Sequence, residues 1–96
     1  MNIGNAIKEL RKKQGLSQSD LAKAVQITQA AMSGIENGNR PNQENLQKLS
    51  HALKVPESLI YVMGIEKDDV PEEKKLLYDS LFPVIKSLVM EIAVKD

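Results

Sequence analysis

Apolar residues recur at helical spacing along this whole chain, and no stretch alternates apolar and polar side chains with period two. The spacing predicts an all-α fold. Ile3, Ile7 and Leu10 give a first helix one apolar face, and Gly15 suits the left-handed position that ends it. Ser17 reads as the N-cap of a second helix, with Asp20 three residues on in a weaker form of the capping box. Leu21, Ala22 and Val25 form that helix's inward face. Thr28 caps a third helix, which turns Met32 and Ile35 inward and stops at Asn37-Gly38. Asn42 caps a fourth, carrying Leu46, Leu49, Ala52 and Leu53. Pro56 suits the first turn of a short fifth helix with Leu59, Ile60 and Met63.

The stretch "GIEKDDVPEE" is polar and acidic and marks a boundary, so the chain divides into a domain over residues 1–67 and a helical segment over 68–96. Beyond Pro71 the pattern is helical again to Val94, with Leu77, Leu81, Val84, Ile85, Leu88 and Ile92 on one side. Pro83 lies inside that stretch and predicts a bend near Asp79–Pro83 or two shorter helices. Residues 1–67 hold nine Lys/Arg and six Asp/Glu, and residues 68–96 hold four Lys and seven Asp/Glu. A mildly basic front and an acidic tail point to two segments with two jobs.

Several function classes fall away. With no cysteine in 96 residues there are no disulfides, thiolate metal sites or cysteine nucleophile. His51, the single histidine, reads as an exposed residue of the fourth helix and makes no metal site. No nucleophile stands with a base, there is no Gly-rich phosphate loop, and Asp68, Asp69, Glu72 and Glu73 lack calcium-loop spacing. No enzyme and no cofactor is therefore expected. The longest apolar run, Leu59 to Met63, is too short to span a bilayer, and "MNIGNAIKEL" contains no secretory h-region, so a soluble cytoplasmic protein is expected.

What remains unusual is "ITQAAMSGIENGNRP", residues 27–41. Gln29, Ala30, Ser33 and Asn37 make an outward face of small and amide side chains without long charges, unlike an ordinary solvated surface. The second and third helices are joined only by "VQIT", the tight connection of a helix-turn-helix. There the later helix enters the DNA major groove, where a side-chain amide can match adenine N7 and N6, and a small residue can touch a thymine methyl.

The stretch "LSQSDLAKAVQITQAAMSGIENGNRPNQENLQKLSHALKV" resembles the phage lambda repressor/Cro-type helix-turn-helix regulators. Leu16, Ser17, Gln18, Leu21, Ala22, Ser33, Glu36, Gly38, Pro41, Leu46, Leu49, Leu53 and Val55 stand in the family's register, and the resemblance covers about residues 3–63. It implies a five-helix DNA-binding domain followed by a C-terminal helical tail, in a prokaryotic or phage transcription regulator of the repressor kind. Gln29, Ala30, Ser33 and Gly34 then occupy base-reading positions. Gln18 and Ser19, at the start of the second helix, and Asn37, Asn39 and Arg40, in the loop after the third, take the sugar-phosphate positions. Arg11 and Glu36 match a buried ion pair tying the first helix to the end of the third.

Gln26 and Lys54 stand where relatives carry glycine; left-handed backbone there costs each about 1 kcal/mol. Gly34 replaces a larger reading residue and leaves part of the specificity to DNA shape. Bland readings stand beside these: Gln29 and Ser33 as solvent-facing filler, Arg11–Glu36 as an exposed pair, and Lys12, Lys13 and Lys23 as solvated charges rather than phosphate contacts. The partner expected is double-stranded DNA, read by a homodimer built on the 77–92 stripe, with no small-molecule effector and no membrane. The alternative is a protein-binding module on the same scaffold, such as an antitoxin-type partner of a toxin.

Overall fold

The computed structural model describes residues 1–93. Its elements are α1 (Ile3–Lys13), α2 (Gln18–Ala24), α3 (Gln29–Glu36), α4 (Gln43–Leu53), α5 (Glu57–Met63), two single 3₁₀ turns (Lys67–Asp69 and Glu72–Lys74) and α6 (Lys75–Ala93). The described residues contain no strand. The expected end of the last helix at Val94 lies outside the described residues.

Side-chain caps start four of the helices, three of them at the residues the sequence predicts and the first at Asn2. Asn2, Ser17, Thr28 and Asn42 each accept the backbone N–H three residues on, at 2.8–3.0 Å. The ends use left-handed backbone: Gly15 at φ 75° closes α1. Gln26 at φ 60° and Lys54 at φ 58° hold the conformation for which relatives carry glycine, each at a cost of about 1 kcal/mol. Pro56 immediately precedes α5 instead of falling within its first turn.

Ile7, Leu10, Leu21, Val25, Met32, Leu49, Leu53 and Ile60 are almost completely buried and form the centre of one core. Val89 and Ala93 of α6 close the same core. Gly4 fixes how α1 meets α3, because a Cβ there would lie 1.8 Å from the carbonyl oxygen of Ile35.

α6 runs unbroken through Pro83, so the two-shorter-helices expectation is corrected. Proline removes the hydrogen bond to the carbonyl of Asp79, which is an exposed residue whose backbone water can reach. Side-chain ties hold α6 against the rest: Tyr78 Oη donates to Ile65 O (3.0 Å), Lys86 Nζ meets Glu9 Oε1 (2.8 Å), Lys67 Nζ meets Asp79 Oδ2 (2.8 Å), and Gln14 Nε2 donates to both Leu53 O (2.7 Å) and Ala93 O (3.1 Å). Burial pushes the Tyr78 phenol above its ordinary pKa, which keeps it a donor.

Candidate nucleic-acid interface

The tight connection between α2 and α3 is built from the left-handed Gln26 and two backbone bonds, Gln26 N to Lys23 O (3.2 Å) and Ile27 N to Ala22 O (3.0 Å). Leu21 and Val25 on one side and Met32 and Ile35 on the other are pulled into the core, which sets the two helices at a fixed angle. The outward side of α3 is thereby defined. Gln29 and Ala30 are exposed, and Ser33 and Gly34 are half-buried along it.

Glu36 is the only charged residue in α3, and it is withdrawn from that face. Its side chain is 2% exposed and takes two hydrogen bonds from Arg11, Nε to Oε2 at 2.7 Å and Nη2 to Oε1 at 3.0 Å. Such fork-on-fork geometry is the strong form of an ion pair. Arg11 also donates Nη1 to Leu16 O at 2.8 Å, so α1, the α1–α2 turn and α3 are joined at one point. The Glu36 carboxylate, hydrogen-bonded to the guanidinium, raises the Arg11 pKa against an opposing desolvation effect. The exposed-pair reading is excluded by this burial.

Gln18 is half-buried, and its Nε2 donates to Glu36 Oε1 at 3.2 Å. Its amide nitrogen is therefore engaged inward; what it retains for an anion is its backbone N–H, which like that of Ser19 lies in the first turn of α2 without an intrahelical acceptor. The phosphate role of Gln18 rests on the family register, and nothing in the sequence pattern signals its reach to Glu36.

Asn37, Asn39 and Arg40 are exposed in the loop after α3. Asn37 Nδ2 lies 3.4 Å from Ser33 Oγ, and Arg40 Cζ lies 6.0 Å from the centre of the Tyr61 ring. Asn39 is closer to α3 than its place in the loop suggests. A Cβ on Gly34 would sit 2.8 Å from Asn39 Nδ2, so the carboxamide of Asn39 occupies the space over Gly34. Asn39 N also donates to Gly34 O at 2.9 Å.

Lys12, Lys13 and Lys23 are exposed, as is His51. Leu77, Leu81, Val84, Ile85, Leu88 and Ile92 of α6 are each 43–66% exposed, so this stripe does not pack back on its own domain. A neighbouring face of α6 makes that contact instead: Val89 and Ala93 are buried in the core, Met90 packs against it, and Tyr78, with Phe82 stacked on its ring, bonds Ile65 O. Sequence reasoning missed this second face because its residues are mixed aromatic and small. It also missed Gly4, whose signal is the presence of glycine inside a helix at a cost of about 1 kcal/mol relative to Ala. Among the described residues no group of acidic or histidine side chains is arranged to hold a metal ion, and no helix is long and apolar enough to cross a membrane.

A family model described as helix-turn-helix matches residues 7–60. The chain is 36% identical over 66 residues to the HTH-type transcriptional repressor RghR of Bacillus subtilis, covering 66% of this chain and 49% of that protein. It is 34% identical over 80 residues to the competence pilus inhibition repressor of Acinetobacter baylyi, covering 82% of this chain and 70% of that one. It is 33% identical over 97 aligned positions to the HTH-type transcriptional regulator ImmR of Bacillus subtilis, covering 100% of this chain and 72% of that one. The chain thus spans about half the length of the first of these relatives. No solved structure matches it. With the α2–turn–α3 geometry, the Arg11–Glu36 tie and the family match over the same residues, the chain belongs to the lambda repressor/Cro-type helix-turn-helix family.

Proposed function

We propose that this protein is a sequence-specific double-stranded DNA-binding transcription regulator, acting as a repressor, that lays α3 in the major groove as a homodimer. The observation that carries this reading is the outward face of α3, which offers Gln29, Ala30, Ser33 and Gly34 while its one acidic side chain is buried against Arg11. A face that is short, uncharged and amide-bearing fits base edges and does not repel phosphates. Gln29 reads a base edge, Ala30 and Ser33 make the close contacts, and the Asn39 carboxamide over Gly34 joins that face. Ser19, Asn37, Arg40 and the backbone N–H of Gln18 meet the sugar-phosphate chain. Residues 1–67 carry the DNA contacts and residues 68–96 the dimer contacts, through the exposed apolar stripe of α6.

Selection of bound sites from random DNA tests this reading, since it returns base sequence, symmetry and half-site spacing together. The expected product is a two-fold symmetric site with half-sites about one helical turn apart. Binding should weaken steeply as salt is added. The antitoxin-type alternative draws on the same exposed α6 stripe and the zero net charge. It is favoured if no DNA sequence is enriched and a co-purifying protein contact persists in high salt.

A further inference from the structure

The way α3 ends sets one more side chain on its outward face. Gly38, at φ 122°, donates its N–H to Ile35 O at 3.1 Å, and the next N–H, of Asn39, donates to Gly34 O at 2.9 Å. These two bonds make a Schellman motif, which turns the chain back so that the side chain of Asn39 falls against position 34. Such motifs commonly make that contact between apolar groups. Here it is a carboxamide over a glycine: a Cβ on Gly34 would lie 2.8 Å from Asn39 Nδ2. Gly34 follows Ala30 by four residues, so it stands one turn further along the same face, away from the buried Met32 and Ile35. Asn39 therefore fills the place that a reading side chain of α3 would take. We infer that Asn39, on the DNA-binding reading above, reads a base edge on behalf of position 34, although the family register gives it a sugar-phosphate position.

Position and chemistry separate this role from a backbone contact. Phosphates line the rims of the major groove and base edges form its floor. The side of α3 opposite the core meets the floor, and the small residues Ala30 and Gly34 let it come close. Arg40, the charged residue of the loop, faces the Tyr61 ring of α5 instead, with Cζ 6.0 Å from its centre. Asn39 is exposed and uncharged, and its carboxamide can donate to adenine N7 while accepting from N6. Position 34 is roughly 7.5 Å along the helix from Gln29, or about two base steps. Each half-site should then hold two adenine-preferring positions about two base pairs apart, one for Gln29 and one for Asn39.

The close approach also couples the two residues. A methyl at position 34 meets only the far end of the Asn39 side chain, so the carboxamide must swing off the face while the backbone stays in place. Gly34→Ala and Asn39→Ala should lose the same base preference, and together lose no more than Asn39→Ala does alone.

Selection of bound sites with the full chain, followed by affinities for the selected site and its single-base variants, tests this. Asn39→Ala should lose roughly tenfold or more of the discrimination at one base pair of each half-site, and leave the Gln29 position and the salt slope unaltered. Gly34→Ala should relax that same base pair, and the double variant should match Asn39→Ala. Asn39→Asp keeps the shape but only accepts, so the preference there should move from adenine toward cytosine, whose N4 donates. A loss from Asn39→Ala spread evenly over all sequences marks a sugar-phosphate contact and overturns the inference. An unchanged selected site overturns it too. Losses at two different base pairs for Gly34→Ala and Asn39→Ala overturn the coupling of the two positions. In any of these cases a Gln29→Ala variant that relaxes its own base pair leaves the DNA-binding reading standing. If the unaltered chain enriches no sequence, both fall.

Discussion

Replacing Glu36 with alanine removes the acceptor of two hydrogen bonds from Arg11, at 2.7 and 3.0 Å, and one from Gln18 at 3.2 Å. The Arg11 side chain is 10% exposed and would keep only its bond to Leu16 O. A guanidinium left in that position is a buried charge without a counter-charge, a condition that costs about 3–5 kcal/mol. Gln18 adds little, because its half-buried amide can turn to water. A domain of this size has only about 5–15 kcal/mol of total stability. At roughly 4–8 °C per kcal/mol, the thermal midpoint should fall by at least about 12 °C. Thermal and urea unfolding followed by far-ultraviolet circular dichroism measure this. The companion variant Arg11→Met/Glu36→Leu removes both charges and should recover most of the loss, since apolar replacement of a whole buried pair is close to neutral. An unchanged midpoint for Glu36→Ala, or a double variant no better than the single one, would refute the argument that the cost comes from a stranded charge.

Gln29→Ala should cost about 1–3 kcal/mol at one base pair and relax the preference there, whereas Arg40→Ala should weaken binding to all sequences and reduce the salt slope by about one; site selection and salt titration separate the two. Gly4→Ala and Gly34→Ala should have opposite signs. The first drives a methyl into the backbone of Ile35 and should cost about 1–3 kcal/mol or prevent folding. The second meets only the end of the Asn39 side chain, so the gain in helix propensity of up to about 1 kcal/mol should hold the midpoint level or raise it, while the selected DNA site changes. Leu81→Glu/Leu88→Glu should leave the unfolding midpoint nearly unaltered and convert the protein to a monomer by sedimentation, with most operator affinity lost. Ending the chain at Lys67 is a harsher perturbation, because it also removes Val89 and Ala93 from the core.

The boundaries of α1 to α4 were legible because the residues that make them act locally. Ser17, Thr28 and Asn42 bond an N–H three residues away, and Leu21, Val25, Met32 and Ile35 need only helical spacing to share a face. The family register added the Arg11–Glu36 pair, whose partners lie 25 positions apart and which no periodicity joins. The left-handed turns at Gln26 and Lys54 came the same way, as places where a different residue usually stands. The sequence by itself thus determined the helices, their inward faces and the position of α3 after the tight turn. Tertiary structure alone decided which groups meet across helices. Asn39 folds over Gly34, Gln18 turns to Glu36, and Gln14 bridges the ends of α4 and α6. It also decided which of two adjacent apolar faces of α6 is spent on the core. Both faces have helical spacing, and the choice follows from the core surface that the first five helices present to Val89, Met90 and Ala93. Spacing records how a helix divides its own surface, and only packing against a neighbour assigns each part a use.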